Sequence, residues 1–129
     1  MNERYMIGEE GVKCYKREDN TIAYEFGVRV PYYMGVPLSQ INRFEVYIDG
    51  VQVNPENIRL IMKTGEEFKL SEIITVSSYF WEYGEKLRTV ILCNEEMPKG
   101  KHRLEVAVGI EVIYMPKSSY SKAYLDFEV

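Results

Sequence analysis

The chain has 129 residues, 46% of them hydrophobic and 28% charged, a balance that favours one globular domain over residues 1–129 with a real core. Its net charge of −4, from 16 basic and 20 acidic groups, leaves no basic excess for a nucleic-acid binder driven by phosphate contacts. No apolar run approaches the roughly 20 residues that span a bilayer. Residues 1–6 lack a signal peptide's apolar stretch, and Cys14 and Cys93 suggest no disulfide framework, so a soluble cytoplasmic protein is expected.

Residues 1–20 are weakly patterned: Tyr5, Ile7, Val12, Cys14 and Tyr15 fit one short edge strand broken by Gly8 and Gly11, before a charged turn at residues 16–20. A strong strand follows over residues 21–30, with Ile22, Tyr24, Phe26, Val28 and Val30 on one face and Ala23, Glu25, Gly27 and Arg29 on the other. That period of two marks a half-buried strand. Next comes Pro31-Tyr32-Tyr33-Met34-Gly35-Val36-Pro37. Each proline restricts itself and the residue before it, and Gly35 can take a positive φ at little cost, so a stiff, shaped loop is expected. Rigidly presented tyrosines and a methionine suit a binding surface, or they cover the end of a β core.

Residues 39–42 fit a single turn, and Phe44, Val46 and Ile48 share one face of a strand over residues 43–48. Asp49-Gly50 then signals a hairpin, because both central residues of a type I′ turn need positive φ. Asn54 and Pro55 resemble a capped helical turn, and a strand follows over residues 58–62. After a turn at residues 64–67 and a short strand at 68–70, Ser71 can cap one helical turn. Residues 76–83 project aromatics from both faces; Phe80 is expected in the core. Residues 87–93 are apolar on both faces, as in a strand deep in a sandwich. The longest strand is expected over residues 102–114, and a final edge strand over 118–129 with Tyr120 and Tyr124 on one face. Many short strands and no long helical period predict an all-β, antiparallel two-layer β-sandwich whose helices are single turns only.

Little in the chain looks catalytic. The single histidine, His102, follows a turn and reads as a solvated strand start. No cluster has metal-ligand spacing, and Glu9-Glu10, Glu66-Glu67 and Glu95-Glu96 read as solvated charge in turns. No nucleophile elbow or phosphate cradle is present. Tyr32, Tyr33, Met34, Trp81, Tyr83, Tyr114 and Met115 are instead types enriched at protein interfaces, or at core edges.

Four segments occur in order: Val28-Arg29-Val30-Pro31-Tyr32-Tyr33-Met34-Gly35-Val36-Pro37-Leu38-Ser39, Val46-Tyr47-Ile48-Asp49-Gly50, Trp81-Glu82-Tyr83-Gly84 and Ile113-Tyr114-Met115-Pro116. Together they resemble the small β subunit of the bacterial C-glycoside deglycosidases, over about residues 20–117. The resemblance implies a non-catalytic subunit of a carbon–carbon lyase. Such an enzyme cleaves the bond between a 3-keto sugar and an aromatic, flavonoid-type aglycone. It implies no cofactor in this chain and a divalent metal, Mn²⁺, in an α subunit resembling sugar-phosphate isomerases. That α subunit would bind most of the 3-keto C-glycoside, in a hetero-oligomer of αβ units. Pro31, Tyr32, Tyr33, Met34, Gly35, Pro37, Trp81, Tyr114, Met115 and Pro116 are the expected partner and substrate rim. The rival reading is a free-standing carbohydrate-binding sandwich that stacks sugar on Tyr32, Tyr33 and Trp81.

Overall fold

Alternating apolar residues along the strands build two antiparallel sheets that bury one face each against the other. The computed structural model describes residues 5–32, 34–76, 78–111 and 120–129. Among them the strands are β1 (Lys13–Lys16), β2 (Ile22–Val28), β3 (Val36–Pro37), β4 (Ile41–Ile48), β5 (Val51–Gln52) and β6 (Ile58–Ile61), followed by β7 (Glu67–Lys69), β8 (Phe80–Trp81), β9 (Leu87–Cys93), β10 (Lys101–Ile110) and β11 (Ser121–Glu128). One sheet has the order β1-β2-β9-β6-β7, the other β11-β10-β4-β5, and β3 pairs β8 in a separate ribbon. The all-β expectation holds: the helical elements lying wholly within the described residues are short 3₁₀ segments at Leu38–Gln40, Pro55–Asn57 and Leu70–Thr75. No helix of the described residues is long and apolar enough to cross a membrane.

Register explains the core. Tyr24, Phe26 and Val28 of β2 pair with Ile91, Thr89 and Leu87 of β9, and all six are buried. Facing them, Leu104, Val106 and Val108 of β10 pair with Ile48, Val46 and Phe44 of β4. The polar groups caught inside are satisfied, as burial demands. Thr89 Oγ1 donates to the Leu87 carbonyl at 3.2 Å, and the Tyr24 hydroxyl accepts from the Met97 N–H at 2.7 Å, fastening the β9–β10 connection to the core.

Residues on the opposite face of the five-stranded sheet are also covered. Ala23 and Val90 alternate with the inward residues of β2 and β9, yet both are fully buried. Their register neighbours on that face are long side chains, Tyr15 beside Ala23, and Glu25 and Arg59 on either side of Val90, a type whose apolar stems cover apolar surface. Arg17 beyond β1 reaches Glu67 of β7 at 3.0 Å, and Arg59 of β6 stands 3.8 Å from the same carboxylate. Tyr15 donates to Glu25 at 2.7 Å, and Arg88 grips Glu25 with two bonds of 2.9 and 3.0 Å. Carboxylates expected as solvated turn charge are thus engaged: Glu67 with Arg17, Glu66 with the Tyr79 hydroxyl, Glu10 with Lys86 and Glu9 with Arg29.

Several local expectations change in the structure. Asp49 (φ 52°) and Gly50 (φ 81°) form the hairpin turn as the sequence predicts. Asn54 accepts from the Glu56 N–H at 3.0 Å, capping the segment that opens on Pro55. Ser71, however, lies inside its helical segment rather than capping it; the Glu72 carboxylate takes the Lys69 N–H at 2.7 Å. Within the aromatic segment 76–83 the strand is β8, and the N-terminal strand is reduced to β1 plus a bridge from Ile7 to Val28. In β10 the register slips between Gly109 and Ile110, and residues 112–119 lie outside the described set.

His102 is ion-paired rather than solvated. Its Nδ1 lies 2.6 Å from Asp49 and its Nε2 lies 2.6 Å from the Pro98 carbonyl oxygen. Both ring nitrogens face acceptors, which favours the imidazolium; the Asp49 carboxylate, then the Pro98 carbonyl, raise the His102 pKa. The His102 ring, then the Arg103 N–H, lower that of Asp49. His102 therefore contributes fully below its unfolded value of about 6.5 and loses that contribution as pH rises through its higher folded value. Asp49 contributes fully above about 3.9 and loses it as pH falls through its lower folded value. The gap in melting temperature between wild type and His102→Gln will be widest near about pH 5–6 and will close toward about pH 9. Thermal melts of both proteins across that range check it; a gap that widens with pH contradicts the pairing.

Candidate functional site

Beyond β2 the chain carries Val30 into the core and leaves Pro31 and Tyr32 half-buried, with Tyr32 packed against the hydrophobic cluster. Met34 then emerges, 50% exposed. In the β3–β8 ribbon Val36 pairs with Trp81 and Pro37 with Phe80. Cross-strand pairs share a face, and neighbours along a strand face opposite ways. Val36 and Trp81 therefore point inward together and are buried, Trp81 at 1% exposure, while Phe80 points outward at 56%. The Trp81 Nε1–H donates to the Glu85 carbonyl at 3.1 Å, which satisfies its polar end.

This reverses two sequence expectations. Trp81 is a core residue with no face to offer a partner or sugar, and Phe80, expected inside, is the exposed ring. Aromatics at successive positions give no period, so the phase of β8 could not be read from its own residues. The partner strand Val36-Pro37 fixes it.

Gly35 plays a different part from the one expected. Its φ lies outside the left-handed region. A Cβ there would sit 2.5 Å from a Phe80 ring carbon, 2.8 Å from the Trp81 carbonyl oxygen and 3.0 Å from the Glu82 Cα. The missing side chain lets Phe80 lie down on the chain and lets the two backbones close. Met34, Pro37 and Phe80 consequently form an apolar surface on a short, tied ribbon. Hydrogen bonds extend the tie: Leu38 N–H to the Tyr79 carbonyl at 3.1 Å and Ser39 N–H to the Val76 carbonyl at 3.0 Å. Tyr79 itself packs edge-on to Phe68, with ring centres 5.6 Å apart.

Further along, Tyr83 is exposed and its ring lies 6.4 Å from that of Tyr5. Arg29, only 8% exposed, stacks over Tyr5 at 4.3 Å, donates to the Tyr5 carbonyl at 2.9 Å and pairs with Glu9 at 2.9 Å. The Arg29 guanidinium pulls the Glu9 pKa down to about 2. The outward position of Arg29 on its strand gave no sign that residues 5–9 would fold back over it. Tyr33, Tyr114, Met115 and Pro116 lie outside the described residues.

Among the described residues no group of three or more His, Cys, Asp or Glu could hold a metal ion. The described part of the ribbon offers apolar contact through Met34, Pro37 and Phe80.

Residues 2–114 match the family described as C-glycoside deglycosidase beta subunit. The chain is 27% identical over 103 residues to a 3′-dehydrocarminate deglycosidase beta subunit from a Microbacterium species, covering 77% of this chain and 76% of that one. It is 26% identical over 115 residues to a C-glycoside deglycosidase beta subunit from Eubacterium cellulosolvens, covering 88% of this chain and 78% of the relative. With most of its length matched, the chain belongs to the C-glycoside deglycosidase beta subunit family.

Proposed function

We propose that this chain is the non-catalytic subunit of a C-glycoside deglycosidase and supports the active site of a larger, metal-dependent α subunit. The family match over residues 2–114 carries the reading. In this reading the complex cleaves the carbon–carbon bond between a 3-keto sugar and an aromatic aglycone. The keto group acidifies the adjacent sugar carbon, which permits proton removal and departure of the aglycone. One relative is named for a 3′-dehydro substrate, which supports the keto requirement. The divalent metal, Mn²⁺ in this reading, belongs to the partner, where it would stabilise the enediolate charge. This chain's part is to hold the partner's active-site region in shape. The apolar ribbon Met34-Gly35-Pro37-Phe80 is its contact, beside Pro31 and Tyr32. An aromatic ring on a tied ribbon loses little ordering entropy on docking, and the flexible Met34 thioether can adapt to the surface it meets. The burial of Trp81 removes one of the three rings that the sugar-stacking alternative needs.

Co-expression with the α subunit tests this. Met34→Ala combined with Phe80→Ala will weaken assembly by about tenfold or more and lower turnover of a 3-keto C-glycoside, the isolated chain remaining folded. A control change of Glu95 and Glu96, both exposed, will alter neither. Size-exclusion chromatography and cleavage rate are the readouts. Wild-type assembly and turnover by the double variant would move the interface elsewhere, and cleavage by this chain alone would overturn its non-catalytic role.

A further inference from the structure

The free edge of β11 is the longest open strand edge among the described residues. At the other sheet edges β1 has four residues, β5 two and β7 three, whereas β11 has eight and pairs with β10 from Ser121 to Glu128 without a bulge or proline. Its phase follows from the end of the ladder, where the Val129 N–H donates to the Gly100 carbonyl at 3.0 Å and the Gly100 N–H to the Val129 carbonyl at 3.2 Å. Antiparallel partners alternate between exchanging both bonds and exchanging none. Residues of odd number in β11 therefore turn their backbone groups to β10, and Lys122, Tyr124, Asp126 and Glu128 turn theirs to the open edge. A regular edge of this kind is a template for another strand.

The side chains on those even positions are self-complementary. Tyr124, 55% exposed, sits between Lys122 and Asp126, two residues away on either side and opposite in charge. We propose that a second copy of this chain pairs here, β11 antiparallel to β11 about a two-fold axis at Tyr124, joining two four-stranded sheets into one of eight. A two-fold perpendicular to the sheet keeps the outer face outward, so each residue meets one of the same parity. Tyr124 then faces Tyr124 of the second copy and exchanges both backbone bonds with it. Lys122 faces Asp126 of the second copy, and the symmetry repeats that pair on the other side. Each charge already leans on its own chain, Lys122 on Glu105 at 3.2 Å and Asp126 on Arg103 at 2.8 Å. The joined sheet extends these into a row of alternating sign across the axis. Centring the axis on Lys122 would set lysine on lysine, and centring it on Asp126 would set aspartate on aspartate. Centring it on Leu125 would leave Asp126 facing Tyr124.

The inference does not depend on the deglycosidase reading, and its test is separate. Light scattering on the intact chain, alone and co-expressed with the larger subunit, reads the number of copies. The isolated wild type will have about twice the chain mass of 15.1 kDa. Lys122→Glu places like charges together twice and will raise the dissociation constant at least about tenfold, leaving the chain mass. Asp126→Lys alone will do the same by setting lysine against lysine. The double exchange Lys122→Glu with Asp126→Lys restores opposite signs and will restore the dimer. Circular dichroism confirms that each variant keeps its strands. A wild type that stays monomeric to about 0.1 mM, alone and in the complex, overturns the proposal, as does a dimer that Lys122→Glu leaves intact. So does failure of the folded double exchange to restore pairing. If Lys122→Glu releases the larger subunit while the chain's own mass is unchanged, the edge belongs to that subunit and the proposal is wrong.

Discussion

Trp81→Ala will destabilise the chain by about 3–5 kcal/mol, the range for emptying a buried aromatic site. The indole is 1% exposed and pairs with Val36 inside the ribbon, so its neighbours cannot close the space without parting β3 from β8. Its loss also leaves the Glu85 carbonyl without the 3.1 Å bond from Nε1. Trp81→Phe separates the two effects: it keeps most of the volume, loses the donor, and will cost less than the alanine change. Urea unfolding of the isolated chain measures both. The consequence reaches the surface as well, because Phe80 is aimed outward only while Trp81 is anchored inward. If the ribbon is the docking surface proposed above, a folded Trp81→Ala protein will assemble poorly even though Trp81 itself is buried. Near-wild-type stability for Trp81→Ala would contradict the described packing.

Gly35→Ala will have the second-largest effect, about 1–3 kcal/mol, as expected for a group forced into filled space. Two of the three atoms that the new Cβ would meet, the Trp81 oxygen at 2.8 Å and the Glu82 Cα at 3.0 Å, are backbone. Backbone cannot rotate aside, so relief requires the strands to separate. The third contact is the Phe80 ring, which can swing away. Adding Phe80→Ala should therefore recover part of the stability lost to Gly35→Ala and leave the remainder, a coupling that a double-mutant cycle reads directly. Gly50 supplies the contrast: nothing lies within 4 Å of its Cβ position, and only its φ of 81° resists a side chain. Equal losses at Gly35 and Gly50 would show that space is not what selects glycine at the ribbon.

Strands with their own period were legible in the sequence. Residues 87–93 carry apolar side chains on both faces and form β9 over that span, and Asp49-Gly50 specifies its hairpin because few other pairs tolerate two positive φ values. The ribbon was half legible. Its prolines and Gly35 marked a stiff segment, but the partner of that segment lies more than forty residues later, and only pairing reveals whether Phe80 or Trp81 faces out. The ion pairs that roof the five-stranded sheet had no sequence signal. Arg17 and Glu67 are 50 residues apart and Glu10 and Lys86 are 76 apart, so neither pair shares a helix turn or a hairpin from which it could be inferred.

The pairing order has a consequence for how the chain acquires its structure. In both sheets the central contacts join distant parts of the chain: residues 22–28 lie on 87–93, and residues 41–48 lie on 104–110. Neither β2 nor β4 can complete its ladder until the second half of the chain has been made. Contacts this remote require large loops to close first, which places folding in the slow, millisecond-to-second regime of β-rich topologies. During synthesis the apolar faces of β2 and β4 wait without their partners. That is the interval in which aggregation competes most strongly with folding, before any surface is finished for a partner to meet.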